Sequence, residues 1–186
     1  MSYDRDVFTW VVEHRAPPLD WLFVALSAAG HAGLLWIVLA VPLAILASKP
    51  PVSTALITAA TVWTADLCAT AGKLIAGRDR PYLTLEAADP LLRWDMGSSF
   101  PSGHAATSVA GAVILAYLLG RFHVWLALLA AAVCFSRVYI GVHYPLDVLS
   151  GALLGAVVGL AAAALVRRLR PTSGGLRRSG AVPPGG

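Results

Sequence analysis

Three short stretches of the chain carry residues able to do chemistry. The densest is Ser136 to Asp147, SRVYIGVHYPLD, which holds Arg137, His143 and Asp147. His143 and Asp147 stand four apart, with Pro145 between them at a helix start. On a helical turn such side chains face each other, so Asp147 can accept a hydrogen bond from His143 Nδ1–H. That bond fixes the tautomer and leaves Nε2 with a lone pair, as a nucleophile or base. The plainer alternative is a capping aspartate beside an interfacial histidine. The second stretch is Pro101-Ser102-Gly103-His104. Serine is a good N-cap, glycine lets a backbone approach a ligand, and the first free N–H groups of a helix favour an anion. The plainer alternative is an ordinary cap with a solvated histidine. The third supplies cations, Lys73 and Arg80, to which Arg137 adds another. An arginine fork fits phosphate, and lysine adds a point charge. Taken singly, each is explained as a snorkelling anchor at a helix end. Taken together, the three stretches describe phosphate transfer at a membrane surface.

The elements that must position them are membrane helices. Of 186 residues, 58% are hydrophobic and 13% charged, with mean hydropathy +0.71. A soluble domain has about 45–50% apolar and about 25% charged residues. The length fits one domain, residues 1–170, followed by a disordered tail, 171–186. The pI near 9.4 does not indicate a nucleic-acid partner, because the arginines sit at the ends of apolar runs and form no basic stripe. Cys68 and Cys134 fall inside apolar runs and read as small buried hydrophobes. No metal-ligand spacing and no cleavable signal peptide is recognisable.

In chain order, residues 3–15 place Val7, Phe8, Val11 and Val12 on one face of an amphipathic helix lying in the interface. His14 reads as a solvated residue. Trp21 to Ala47 is apolar except for His31, and is either one tilted span or a span broken near Gly30. His31, between two glycines, reads as structural or interfacial. Val52 to about Gly72 is the next span. Asp66 inside it needs a partner, water or a place near the interface. Residues 73–100 form a long polar connection, a functional length for a loop, whose part 82–100 is expected to border a lipid headgroup. Spans follow at 102–120, 124–139 and 145–166, with His123 in the turn at 121–123. Gly151, Gly155 and Gly159 repeat along the last helix as a close-packing face. The expected fold is all-α: a polytopic transmembrane bundle of about five to six membrane helices with an N-terminal amphipathic helix.

Arg167, Arg168, Arg170, Arg177 and Arg178 follow the last span. The positive-inside rule then puts the C-terminus in the cytoplasm. Counting back, stretches 73–81, 101–104 and 136–147 all reach the opposite, extracytoplasmic side. The arginines there run against the charge bias, and phosphate binding supplies a reason for them.

At this point the chain resembles the type-2 phosphatidic acid phosphatase superfamily, the lipid phosphate phosphatases. Its three motifs are Lys, six residues, Arg-Pro; Pro-Ser-Gly-His; and Ser-Arg, five residues, His, three residues, Asp. They are met by Lys73 with Arg80-Pro81, by Pro101 to His104, and by Ser136-Arg137 with His143 and Asp147. The resemblance implies that His143 attacks phosphorus, that Asp147 orients it, and that His104 protonates the leaving oxygen and then activates water. It implies that Lys73, Arg80, Arg137, Ser102 and Gly103 hold the phosphate, and that no metal or other cofactor is needed. The small size resembles bacterial undecaprenyl-diphosphate phosphatases. Phosphatidic acid, phosphatidylglycerophosphate and a polyprenyl phosphosugar are alternative substrates. Vanadium haloperoxidases are similar in the motifs, but are soluble. The rival from another class is a non-enzymatic lipid-binding membrane protein. The expected partners are the lipid phosphate substrate and the surrounding membrane lipids.

Overall fold

The computed structural model describes residues 2–86, 88–93 and 97–169. It is helical, with no strand among the described residues. The expected tail at 171–186 lies outside them, as do Trp94, Asp95, Arg170, Arg177 and Arg178.

Eight α-helices follow one another: α1 (Ser2–Glu13), α2 (Pro17–Ala29), α3 (Leu34–Leu46), α4 (Pro51–Ala76), α5 (Pro81–Thr84), α6 (Gly103–Leu119), α7 (His123–Tyr139) and α8 (Pro145–Leu169). Prolines open α2, α4, α5 and α8, where a missing N–H costs nothing. α6 is the axis of the bundle. Small side chains such as Ala105, Ala106, Ser108, Ala110 and Gly111 let its neighbours approach, and most of its surface is buried. α4, α7 and α8 surround it, with α3 against α4.

The glycine stripe of α8 packs as its spacing predicts. Gly151, Gly155 and Gly159 are buried. A Cβ on Gly151 or Gly155 would run into the carbonyl oxygens of Ser102 and Ala106, and one on Gly159 would lie 2.8 Å from Val113 Cβ. The opposite faces of α4 and α8 expose Leu56, Leu67, Leu74, Leu153, Val157 and Leu160. That is the surface a helix presents to hydrocarbon.

The run from Trp21 to Ala47 is broken. α2 and α3 are bent by 57° about a 3-10 turn, His31–Gly33, in which Ala32 has φ 50° and Gly33 φ 72°. Glycine suits that backbone, and a Cβ on Gly33 would also lie 2.9 Å from Val62. By length and composition α4 and α8 qualify as membrane spans, and the bent pair counts as a third. α6 and α7 are apolar but have 17 residues each, fewer than the ~20 of a full span. Against the expected five to six spans, the described residues give up to three candidates and two shorter apolar helices.

α1 forms and turns Phe8, Val11 and Val12 of the expected face inward, but not Val7. Phe8 and Val11 are buried, and Asp4 joins them, while Val7 and Trp10 stay exposed. The Phe8 ring lies 5.5 Å from that of Tyr144, which docks the helix at the start of α8. Cys68 also departs from expectation. It is exposed on α4, and only Cys134 is partly covered. His14 is exposed, with its Nδ1 2.8 Å from Trp10 O, and His123 opens α7 on an exposed turn.

Candidate active site

The three polar stretches meet at one end of the bundle, where α4 and α7 finish and α6 and α8 begin. Lys73 lies in the last turn of α4, which Gly77 ends at φ 57°. The chain then reverses through Arg78 and Arg80 into α5. Ser102 caps α6, its Oγ accepting from Ala105 N at 3.4 Å. Ser102 N–H donates to Asp147 O at 2.9 Å, which ties the start of α6 to the start of α8. Arg137 lies in the last turn of α7, and its main-chain oxygen accepts from His143 N–H at 3.2 Å. The α7–α8 connection is thereby folded back beneath the arginine.

His143 is 1% exposed, Arg137 1%, and Arg80, Ser102 and Asp147 0%. Arg80 Nη1 donates to Val142 O at 3.1 Å and stands 3.4 Å from His143 Nε2. A guanidinium only donates, so the ring nitrogen facing it carries the lone pair and Nδ1 carries the proton. Burial, reinforced by the charges of Arg137, Arg80 and Lys73, pushes the His143 imidazole well below its usual range. The ring is therefore neutral at physiological pH, as a nucleophile requires. Arg137 Nη1 bonds Ser27 Oγ, bringing α2 into the same cluster.

One expected bond is longer than predicted. Nδ1 of His143 faces Asp147 Oδ2 at 3.7 Å, beyond hydrogen-bond range, and has no hydrogen-bond partner among the described residues. The carboxylate is held elsewhere. Oδ2 accepts from Tyr144 N–H at 2.9 Å, as a cap on the first turn of α8, and Oδ1 accepts from Arg78 Nη1 at 2.6 Å. The facing predicted from the spacing is present as an electrostatic contact.

Gly103 leaves room at the start of α6. A Cβ there would lie 3.3 Å from Asp66 Oδ1 and 3.8 Å from Lys73 Nζ. Asp66 thus stands close to the start of α6 and to Lys73. His104 stands beside Gly103, its ring 5.8 Å from that of His31. The break in the Trp21 to Ala47 run brings His31 to this position. All eight residues singled out from the sequence converge: Lys73, Arg80, Ser102, Gly103, His104, Arg137, His143 and Asp147. Among the described residues no three His, Cys, Asp or Glu side chains group as a metal site.

The sequence reading missed Arg78 and Asp4. Arg78 bridges Asp147 and Asp4, its Nη2 2.5 Å from Asp4 Oδ2. A signal existed for Arg78, since a buried carboxylate needs a cation and Arg78 sits two residues before Arg80. None existed for Asp4, which reads as one more charge on a surface helix.

The cluster thus sets a buried, neutral imidazole among cations at one end of an apolar helical bundle. Residues 52–171 match the family model described as the PAP2 superfamily, and the chain belongs to that family. It is 40% identical over 86 residues to the bacitracin transport permease protein BcrC of Bacillus licheniformis, covering 44% of this chain and 40% of that one. It is 29% identical over 156 residues to an undecaprenyl-diphosphatase of Sulfolobus acidocaldarius, covering 83% and 74%. The similar segment thus spans less than half of the first of these relatives. The fold is similar to that of the transmembrane PAP2-type phosphatidylglycerolphosphate phosphatase of Bacillus subtilis, with TM-score 0.76 and 22% identity, covering 92% of this chain and 88% of that one.

Proposed function

We propose that the chain hydrolyses the terminal phosphate of a membrane lipid diphosphate, with undecaprenyl diphosphate as the preferred substrate, through a phosphohistidine. The observation that carries this reading is His143, neutral and buried, with its lone pair toward Arg80 and its N–H toward Asp147. In the first step Nε2 attacks the terminal phosphorus and the bond to the bridging oxygen breaks. Asp147 stabilises the cationic ring, and His104 donates a proton to the leaving oxygen. In the second step His104 takes a proton from water, which attacks the phosphohistidine and releases inorganic phosphate. Lys73, Arg80, Arg137, Ser102 and Gly103 hold the nonbridging oxygens while charge redistributes among them.

Two observations support a diphosphate. The relative named undecaprenyl-diphosphatase aligns along most of this chain. His31 also gives the leaving-group side a second imidazole beside His104, and a diphosphate bears its second phosphate there, whereas a monoester does not. Phosphatidylglycerophosphate is the second reading, supported by the similarity to the Bacillus subtilis phosphatase. The site is assigned to the extracytoplasmic face. Lys49, Arg121, Arg167 and Arg168 lie at the opposite end of the bundle, in the connections α3–α4 and α6–α7 and at the end of α8, as the positive-inside rule asks of a cytoplasmic side.

The test is phosphate release by purified protein in detergent with EDTA, offered undecaprenyl diphosphate, phosphatidic acid and phosphatidylglycerophosphate. Release from none of them would overturn the phosphatase reading. Release from the monoesters alone, or a His31→Ala variant that leaves the ratio of diphosphate to monoester rates unchanged, would overturn the substrate.

A further inference from the structure

Asp147 is fully buried, and a buried carboxylate is retained as an anion only where donors replace its water. Its side chain accepts from the backbone N–H of Tyr144, and hydrogen bonding from the Ser99 side chain also favours its anion. The charged donor is Arg78. Arg78 is itself fixed on several sides. Its Nη2 meets Asp4 Oδ2 at 2.5 Å, and its guanidinium lies 4.2 Å above the Tyr144 ring. Its main-chain N–H donates to Ser98 Oγ at 3.0 Å, and its main-chain oxygen accepts from Ser99 N–H at 2.8 Å. Asp4 in turn spends its other oxygen on Leu146 N–H at 2.9 Å. That group is one of the donors left unsatisfied at a helix start. Two carboxylates thus sit at the positive end of α8 with one arginine between them, an arrangement the helix dipole favours.

We infer that Arg78 is a positioning residue for phosphate transfer, and that Asp4 makes α1 a working part of the active site by holding Arg78 against Asp147. The inference rests on the proposed role of Asp147. The side-chain bonds of Arg78 run to Asp147 and Asp4, so it acts through the carboxylate. Without it, Asp147 Oδ1 loses its charged donor, the carboxylate is held less firmly toward His143, and its ionised form loses an adjacent positive charge. Other charged or titratable groups facing Asp147 are His143, from the α7–α8 connection, and Arg80, preceding α5. The α1 docking follows the same logic. Phe8 against Tyr144 supplies the apolar contact, and Asp4 supplies the register, because its two oxygens bind two different segments.

The structure offers a direct test. Arg78 is 25% exposed and lines a cavity of about 190 Å³ together with Arg5, Asp79, Thr84 and Tyr144. Dissolved guanidinium can therefore reach the space that Arg78→Ala vacates. Phosphate release is measured for wild type, Arg78→Ala, Arg78→Lys, Asp4→Asn and Asp147→Ala, with kcat and KM resolved across pH and with added ethylguanidinium. Arg78→Ala is expected to lose on the order of 100-fold in kcat, the worth of one charge-assisted hydrogen bond, with KM changed less than threefold. The acid limb of its kcat profile shifts to higher pH, and ethylguanidinium restores at least tenfold. Asp147→Ala gains nothing from the same addition. Arg78→Lys retains more activity than Arg78→Ala, and Asp4→Asn falls about tenfold with a smaller shift of the same limb. Wild-type kcat and an unmoved acid limb in Arg78→Ala overturn the inference. So does a loss that appears in KM or in the thermal midpoint alone, with no rescue. If wild type releases no phosphate from any lipid, the phosphatase reading itself fails and takes this inference with it. Wild-type release beside an indifferent Arg78→Ala removes the inference alone.

Discussion

In Asp147→Asn the side chain keeps its shape but loses its charge and half of its accepting capacity. Asp147 accepts from Arg78 Nη1 at 2.6 Å and Tyr144 N–H at 2.9 Å, has Ser99 as a further side-chain donor, and faces the proton on His143 Nδ1, with 3.7 Å between Nδ1 and Oδ2. An asparagine has one oxygen to offer, and its NH₂ must then face a donor. If the oxygen stays with Arg78, the NH₂ turns toward Tyr144 N–H and His143 Nδ1. That favours the tautomer with its lone pair on Nδ1 and its proton on Nε2, which cannot attack phosphorus. If the oxygen turns the other way, Arg78 faces an NH₂, and two donors are left opposed inside a buried site. Either arrangement costs about 1–3 kcal/mol of stability for the unsatisfied group. The catalytic cost is larger. As Nε2 bonds to phosphorus the ring becomes a cation, and a unit charge 3.7 Å away contributes about 4 kcal/mol at an effective dielectric of ~20. That corresponds to about a thousandfold in rate. Phosphate release by the folded variant, followed together with acid-labile phosphate in a rapid-quench experiment, is expected to show kcat lowered by that factor and slower formation of the phosphoenzyme. A variant within tenfold of wild-type kcat would refute the pairing of Asp147 with His143.

His143→Ala is expected to abolish turnover and the acid-labile phosphate trapped on wild type, with the helical circular dichroism retained; near-normal release would exclude His143 as the nucleophile. Gly151→Ala brings a Cβ against the Ser102 carbonyl, so about 1–3 kcal/mol of overpacking is expected. Because Ser102 N–H is bonded to Asp147 O, activity falls as well, and a thermal midpoint and kcat both equal to wild type would contradict the α6–α8 packing described. The depressed basicity of His143 also has a consequence for stability. The unfolded chain binds a proton near the ordinary imidazole value of about 6.5, whereas the folded site does so only at much lower pH. Stability from this group is therefore complete above about pH 6.5 and declines below it, by up to about 1.4 kcal/mol per pH unit. Unfolding measured in detergent from about pH 7 down to about pH 5 is expected to show this slope in wild type and a shallower one in His143→Gln; parallel slopes would count against a neutral buried ring.

Much of the site could be read from the sequence because its parts are local. The cap at Ser102, the i and i+4 placement of His143 and Asp147, and the small-residue face of α8 each depend on neighbours within one or two turns. The facing of each membrane helix was less legible. In hydrocarbon the outer surface is as apolar as the interior, so hydropathy does not separate the two, and Cys68 was misplaced for that reason. The same holds for α1, where Val7 and Phe8 are equally apolar and only Phe8 is buried. The break at His31–Gly33 left two readings open, because two glycines permit a bend without requiring one. In the fold the bend sets Gly33 against Val62, a contact no spacing in the sequence announces.

The sequence by itself determined which chemistry is available. A histidine, an aspartate four residues on, and three cations at motif spacing have few other uses together, and the hydropathy of the chain puts them in a membrane. Only the tertiary structure decided how the aspartate is held. Residues 4, 78 and 147 are joined by contacts that no spacing rule reaches. The carboxylate that the spacing pairs with His143 is secured instead by Arg78 and by the first turn of its own helix. The physical reason is burial, since a fully desolvated charge takes whatever donors the packing brings to it, and packing is a property of the whole chain.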